Sequence, residues 1–203
     1  LQRDLRPHHF ISGSALLLIV CATLLFLGNG PQYTLLANST HNPFADKVFA
    51  TCSFLAEWPL IAMALLLGIV KNPRLGLWFG VCFLLEFAIT QGLKTGIGAT
   101  RPVVQFGDAL RALEGNPLLK WRSFPSGHTA AAFTALGFIA MLINKTPVTI
   151  LMVVVAALCA YSRMYLGQHY LLDLAGGICV AMFILVISEL GKNKLLSKMS
   201  INP

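Results

Sequence analysis

Charge is scarce in this chain, and acid is scarcer than base. Of 203 residues only 11% are Asp, Glu, Lys or Arg, with eight acids against 15 bases and a formal net charge of +7. A soluble domain carries about a quarter charged residues, so an ordinary water-soluble fold is excluded. A long basic block is also missing, which argues against nucleic acid as a partner. Most of the cations outside the polar motifs described below lie beside apolar runs, where the positive-inside bias accounts for them. No C-x-x-C pair occurs among the five cysteines, Cys21, Cys52, Cys82, Cys159 and Cys179. An odd number of thiols, each inside an apolar run, excludes a disulfide framework and a zinc site and leaves them as small packing residues. Internal repeats and low-complexity stretches are absent too.

What the chain has in abundance is hydrocarbon: 56% hydrophobic residues and a mean hydropathy of +0.72. Apolar runs cover residues 10–27, 48–70, 75–93, 126–143, 147–161 and 170–188. Most approach the ~20 residues that a bilayer-crossing helix needs, so the fold expected is all-α, a polytopic bundle of six transmembrane helices forming a single domain, Leu1–Pro203. The first run follows Arg3 and Arg6 like a signal peptide, but it is too long for an h-region and no small-x-small cleavage site follows, so it reads as a retained helix. The fifth run is short and is expected to extend through Arg163, whose cation would snorkel to the interface. Pro59 should kink the second span, and Pro147 suits the first turn of the fifth. Residues 28–47, 71–74, 94–125, 144–146 and 164–169 are the expected connections, with a short amphipathic helix around 107–113 in the longest of them.

Three polar segments interrupt this pattern: Lys94 with Arg101–Pro102, Pro125–Ser126–Gly127–His128, and Ser162–Arg163 followed by His169 and Asp173. If the six runs cross alternately, Lys94 ends span three, Ser126 to His128 open span four, Arg163 ends span five and His169 opens span six. All four ends then lie on one face. Both termini fall on the other, together with Arg3, Arg6, Lys71, Arg74, Lys145, Lys192, Lys194 and Lys198, which makes that other face cytoplasmic and the motif face periplasmic or extracellular. Residues scattered for structural reasons would gather on one face only by chance.

The inventory on that face suits a phosphoryl group. Lys94 offers a point charge, and Arg101 and Arg163 offer planar forks matched to phosphate oxygens. Ser126 reads as the N-cap of a helix whose free N–H groups and dipole favour an anion, with Gly127 allowing close approach. Singly, a cation at a span end is ordinarily an interfacial anchor and Ser126 an ordinary cap; it is the set that points to a site. His169 and Asp173 are spaced i, i+4, so the carboxylate can fix the imidazole tautomer and prepare one ring nitrogen to attack phosphorus, while His128 protonates the leaving oxygen and later activates water. Three cations and no zinc-like cluster speak against a metal, and no cofactor is called for.

The spacings Lys-x6-Arg-Pro, Pro-Ser-Gly-His and Ser-Arg-x5-His-x3-Asp resemble, without departure, the three-part signature of the type 2 phosphatidic acid phosphatase (PAP2) superfamily, over residues 94–177. The resemblance implies the same roles: Lys94, Arg101, Arg163, Ser126 and Gly127 bind phosphate, His169 is the nucleophile, Asp173 its partner and His128 the acid, with no metal. It implies a membrane bundle, membrane lipids around it, and a lipid phosphate as substrate. Polyprenyl diphosphate, phosphatidylglycerophosphate, phosphatidic acid and lipid A phosphates are the candidates, in a bacterial inner membrane. A lipid phosphotransferase using the same phosphohistidine is the rival reading, and a non-catalytic anion-binding or transport protein the other. Lipid choice is expected to lie in the loop 103–124, where Lys120, Trp121 and Arg122 precede the Ser126 helix start. Glu57 and Glu86 lie inside spans, where ionisable residues are costly. Glu86, Thr90 and Lys94 form one i, i+4, i+8 stripe, and Glu57 is placed near the outer interface. His8, His9 and His41 read as surface residues.

Overall fold

The computed structural model of the chain describes residues 8–28 and 30–197, with 192–197 described by backbone only. Arg3, Arg6 and Lys198 lie outside the described residues, as do the side chains of Lys192 and Lys194. In chain order the helices are α1 (His8–Leu27), α2 (Gly30–Ser39), α3 (Pro43–Leu55), α4 (Pro59–Lys71), α5 (Pro73–Ile97), the short α6 (Pro102–Phe106) with a 3₁₀ turn at Gly107–Ala109, α7 (Gly127–Ile143), α8 (Thr146–Tyr165) and α9 (Leu171–Ser197). Among the described residues there is no strand, only two isolated bridges.

Prolines set many of the boundaries, because a ring without an N–H fits the first turn of a helix and little else inside one. Pro43, Pro59, Pro73, Pro102 and Pro147 all occupy first-turn positions. Pro59 does more than kink its span: α3 and α4 are separate helices, bent 47° apart at a break over residues 56–58. α1, α5, α8 and α9 are each long and apolar enough to cross a membrane, and the bent pair makes a fifth candidate. α7 is shorter at 17 residues.

α7 is the axis of the bundle. It packs on α4, α5, α8 and α9, and every residue from Thr129 to Leu142 is buried. In lipid, burial of apolar surface drives little association, so close packing must do so. Phe138 of α7 stacks on Phe79 of α5 with centroids 4.0 Å apart and meets Phe83 edge-on at 5.3 Å. The outer helices turn the opposite surface outward: Leu16 on α1, Leu66 on α4, Leu77 and Leu84 on α5 and Ile150 on α8 are all exposed, an apolar belt suited to acyl chains. At one end of the bundle Lys71 Nζ donates to the carbonyl of Leu142 at 2.7 Å, a cation on the negative end of α7.

Three expectations need correction. The stretch 28–47 is not an open connection, since α2 and the start of α3 occupy it. The short helix of the long loop lies at Pro102–Phe106, not 107–113: Pro102 starts it and Gly107, at φ 50°, ends it. His41 is not a surface residue. Its Nδ1 donates to Asp46 at 2.5 Å, Asn38 Nδ2 donates to its Nε2 at 3.0 Å, and its ring lies against Tyr165. Tyr165 also donates to Asp46 at 2.5 Å, and Asn38 Oδ1 accepts from Arg111 N, so this buried polar knot ties the α2–α3 turn to α8 and to the long loop. His8 and His9 are exposed as expected.

Candidate active site

α5 ends at Gly98, whose left-handed φ of 61° suits glycine and whose N–H closes on the Lys94 carbonyl. The chain therefore turns sharply just after Lys94 and runs beside the segment that leads into α7. There Arg101 N donates to Lys120 O, and Ser123 N to Ala99 O, both at 2.9 Å. Side chains use the same rail: Arg101 Nε donates to Trp121 O at 3.0 Å, and Lys94 Nζ to Arg122 O at 2.9 Å. Three consecutive carbonyls thus aim two cations. Arg122 reaches this geometry with φ of 59°, a conformation costing a non-glycine residue of order 1 kcal/mol. Arg101 is further held by Gln168, whose side-chain oxygen accepts from its Nη1 at 3.0 Å.

Ser126 caps α7, accepting from Thr129 N at 3.3 Å, and its own N–H donates to the Asp173 carbonyl at 2.9 Å. α9 can lie this close because residue 177 is glycine; a Cβ there would sit 2.7 Å from Ser126 O. The first-turn N–H groups of Gly127 and His128 have no intrahelical acceptor and form the positive end of α7.

The turn from α8 to α9 explains the third spacing. Gln168 N and His169 N both fold back onto the Arg163 carbonyl, at 2.9 and 3.3 Å, so the five residues between Arg163 and His169 close one compact turn. The His169 carbonyl accepts from Thr34 of α2 at 3.1 Å. His169 stands just ahead of α9 and Asp173 in its first turn. Its Nδ1 donates to Asp173 Oδ2 at 3.3 Å, which leaves Nε2 as the free nitrogen. Asp173 Oδ2 also accepts from Tyr170 N at 2.9 Å and Ser123 Oγ at 2.5 Å. Burial first, then the charges of Arg101, Arg163 and Lys94, hold the His169 pKa well below the usual histidine range. The ring is therefore neutral at pH 7, with a lone pair on Nε2.

Lys94, Arg101, Gly127, His128 and His169 share the wall of one cavity of about 350 Å³, with Glu57, Glu86 and Thr90 also on it and Ile61, Phe83 and Phe87 at its apolar side. Of the other expected site residues, Ser126 and Asp173 are buried behind the wall. Arg163 does not snorkel outward. It is buried, its Nη1 donates to Ser53 Oγ of α3, and its Nε has no hydrogen-bond partner among the described residues. Lys120, Trp121 and Arg122 have exposed side chains outside the wall, and what they give the site directly is their carbonyls. Glu86 accepts from Thr90 Oγ1 at 2.9 Å, as the stripe on α5 implies. Glu57, in the α3–α4 break, accepts from His128 Nε2 at 3.3 Å. Ser123, Gln168, Thr34 and Ser53 carry contacts that the sequence reading did not assign. Ser123 and Gln168 adjoin the motifs, which was the available signal; Thr34 and Ser53 have none. No group of three or more His, Cys, Asp or Glu side chains that could hold a metal occurs among the described residues.

A membrane bundle with cations, a capped helix start and a carboxylate-bound histidine around one cavity matches a known class: the profile of the PAP2 superfamily fits residues 75–194. The chain belongs to that superfamily and is a lipid phosphate phosphatase of the PAP2 type. Among characterised relatives, the undecaprenyl-diphosphatase BcrC of Bacillus subtilis (strain 168) is 28% identical over 152 residues, 72% of this chain and 74% of that protein. The lipid A 4'-phosphatase of Bacteroides thetaiotaomicron is 27% identical over 165 residues, 75% of this chain and 72% of that protein. Among solved structures, Aquifex aeolicus LpxE superposes with a TM-score of 0.66 at 28% identity, covering 77% of this chain and 92% of that one. The PAP2 type phosphatidylglycerolphosphate phosphatase of Bacillus subtilis shares the fold, with a TM-score of 0.68 at 22% identity over 93% and 96% of the two chains.

Proposed function

We propose that this protein hydrolyses a phosphomonoester or diphosphate on a membrane lipid, without a metal, through a phosphohistidine on His169. The observation that carries the reading is the shared wall: Lys94, Arg101, Gly127, His128 and His169 around a single cavity. Phosphate enters among Lys94, Arg101 and the N–H groups at the start of α7, with Ser126 acting through the cap it makes and Arg163 offering its unpartnered Nε. His169 Nε2 attacks phosphorus, Asp173 steadies the imidazolium that results, and the bond to the leaving oxygen breaks as His128 gives it a proton. Water then gives a proton to His128 and its oxygen attacks phosphorus, releasing phosphate and restoring His169. The three cations supply the charge that a metal would otherwise bring, so activity is expected to survive excess chelator.

In this reading the whole chain is one domain crossing the membrane six times, with α1, α3–α4, α5, α7, α8 and α9 as the crossings. The active site opens to the periplasm or cell exterior, and the termini are cytoplasmic. Lys71 at the far end of α7 supports that orientation, since short cytoplasmic segments collect cations. The membrane is taken to be a bacterial inner membrane. The named activities of the relatives favour polyprenyl diphosphates and lipid A phosphates among the candidate substrates. Phosphate release by purified protein from a panel of lipid phosphates in detergent, with and without EDTA, tests the reading. Release from at least one lipid, unaffected by EDTA and lost in His169→Ala, is the expected result. Loss with EDTA that magnesium restores would overturn metal independence, and consumption of lipid without phosphate release would indicate transfer to a second lipid.

A further inference from the structure

The α3–α4 break sits against the site, and the PAP2 signature does not include it. Ser53, in the last turn of α3, accepts from Arg163. Four residues on, Glu57 reaches the cavity wall and accepts from His128 Nε2 at 3.3 Å. A continuous helix would carry Glu57 on along the α3 axis. The three-residue break and 47° bend, stopped on the far side by Pro59, turn it toward the start of α7 instead. An ionisable residue in a span at half exposure calls for a reason. The two histidines are then matched. His169 has its Nδ1 held by a carboxylate and its Nε2 free; His128 has its Nε2 held by a carboxylate and its Nδ1 left over.

We infer that Glu57 is the positioning residue of the acid–base histidine: it fixes His128 with Nε2–H toward the carboxylate, so that Nδ1 delivers the proton to the leaving oxygen and takes one from water. The inference rests on the proposed phosphohistidine reading. A second physical reason supports it. The imidazolium that must form at His128 has Arg163, Arg101 and Lys94 for neighbours, and an opposing charge at hydrogen-bond distance offsets them. Glu57 touches no reacting atom; it acts on the lipid phosphate only through His128.

The test uses full-length protein in detergent, with a long-chain alkyl phosphate lipid as one substrate and p-nitrophenyl phosphate as the other. The alkoxide leaving group needs a proton as it departs and nitrophenolate does not. Glu57→Gln should lower kcat on the alkyl phosphate about 10-fold or more with KM little changed, lower the nitrophenyl rate much less, and recover in Glu57→Asp. On the alkyl phosphate alone, Glu57→Gln placed on His128→Ala should add almost nothing, because the residue it acts through is gone. An equal loss on both substrates, an additive loss on His128→Ala, or an unchanged or raised rate in Glu57→Gln would each overturn the inference. His169→Ala, run beside them, keeps the two failures apart: if it retains activity, the phosphohistidine reading itself falls, whatever Glu57 does.

Discussion

The two histidines of the cavity stand in opposite surroundings. His169 is almost wholly enclosed: its carboxylate comes from the adjoining turn of its own chain, that carboxylate accepts from Ser123 and Tyr170 N, and its backbone is pinned by Arg163 and Thr34. His128 is about a quarter exposed, on the first turn of α7, and its carboxylate, itself half exposed, arrives from 71 residues away at the break between α3 and α4. The proposed nucleophile is thus built locally and rigidly, as a covalent step at one fixed phosphorus requires. The proposed acid is built from distant pieces and left open, as suits a group that would meet a leaving lipid and then a water.

Removing each histidine breaks the comparison most directly. His169→Ala should reduce phosphate release by at least about three orders of magnitude, while vanadate, a mimic of five-coordinate phosphorus, still binds the cation cradle. His128→Ala should cost less, about 10²-fold or more on a lipid, and with p-nitrophenyl phosphate, whose leaving group needs no proton, phosphate should accumulate on His169 as an acid-labile label seen after quenching in base. Turnover by His169→Ala at the normal rate would end the assignment. The environment of His169 also fixes a pH expectation. Its pKa is lowered, so the folded protein keeps the ring neutral while free histidine would already be charged. The kcat/KM profile should accordingly have no acid limb from His169 near pH 6.5, and a half-drop there assigned to this residue by isotope-labelled NMR would contradict the buried geometry.

A smaller effect sharpens the rigid half of the comparison. Ser123→Ala removes a hydrogen bond to Asp173 and a longer one, at 3.4 Å, to His169 Nδ1, and leaves His128 untouched. A loss of about 10-fold in kcat with KM unchanged is expected, because an orienting carboxylate that is itself loosened orients less well. Equal loss of kcat and of thermal stability in Ser123→Gly and Ser123→Ala would mean that the serine serves the fold alone.

The smallest effect belongs to the rim. The carbonyls of Lys120, Trp121 and Arg122 hold the cradle while their side chains face outward, so truncating those side chains leaves the cradle standing. Lys120→Ala and Arg122→Ala should change the ratio of rates on diphosphate and monophosphate lipids by about threefold and leave a short soluble phosphate ester almost unaffected. Uniform loss on every substrate would assign the rim to support and send lipid choice to the gaps between helices.

How much of this could be read from the chain follows the same division. Elements ended by proline or by a capping serine were legible, because those residues constrain the backbone by themselves: Pro59, Pro147 and Ser126 all act where the sequence places them. The local pair His169–Asp173 was legible from its spacing. α2 was not, since a helix of ten residues with modest apolar character gives no strong pattern. The knot of His41, Asp46, Tyr165 and Asn38 was not, because its members are up to 127 residues apart and only packing brings them together. Glu57 was visible as an anomaly in a span, but its partner depends on the bend, an angle that no residue type encodes.

α7, walled in by four neighbours, has a further consequence. A helix in contact with lipid has to match the hydrocarbon layer of ~30 Å, by tilting or by thinning the bilayer around it. At 1.5 Å per residue the 17 residues of α7 span only about 26 Å, yet all from Thr129 to Leu142 are buried against protein and are excused from that requirement. Changes in membrane thickness should be taken up by the tilt of the lipid-facing α1, α5 and α8, while the helix that carries Ser126, Gly127 and His128 keeps its length and place. On the proposed reading, the catalytic apparatus is thereby insulated from the acyl composition of the surrounding membrane.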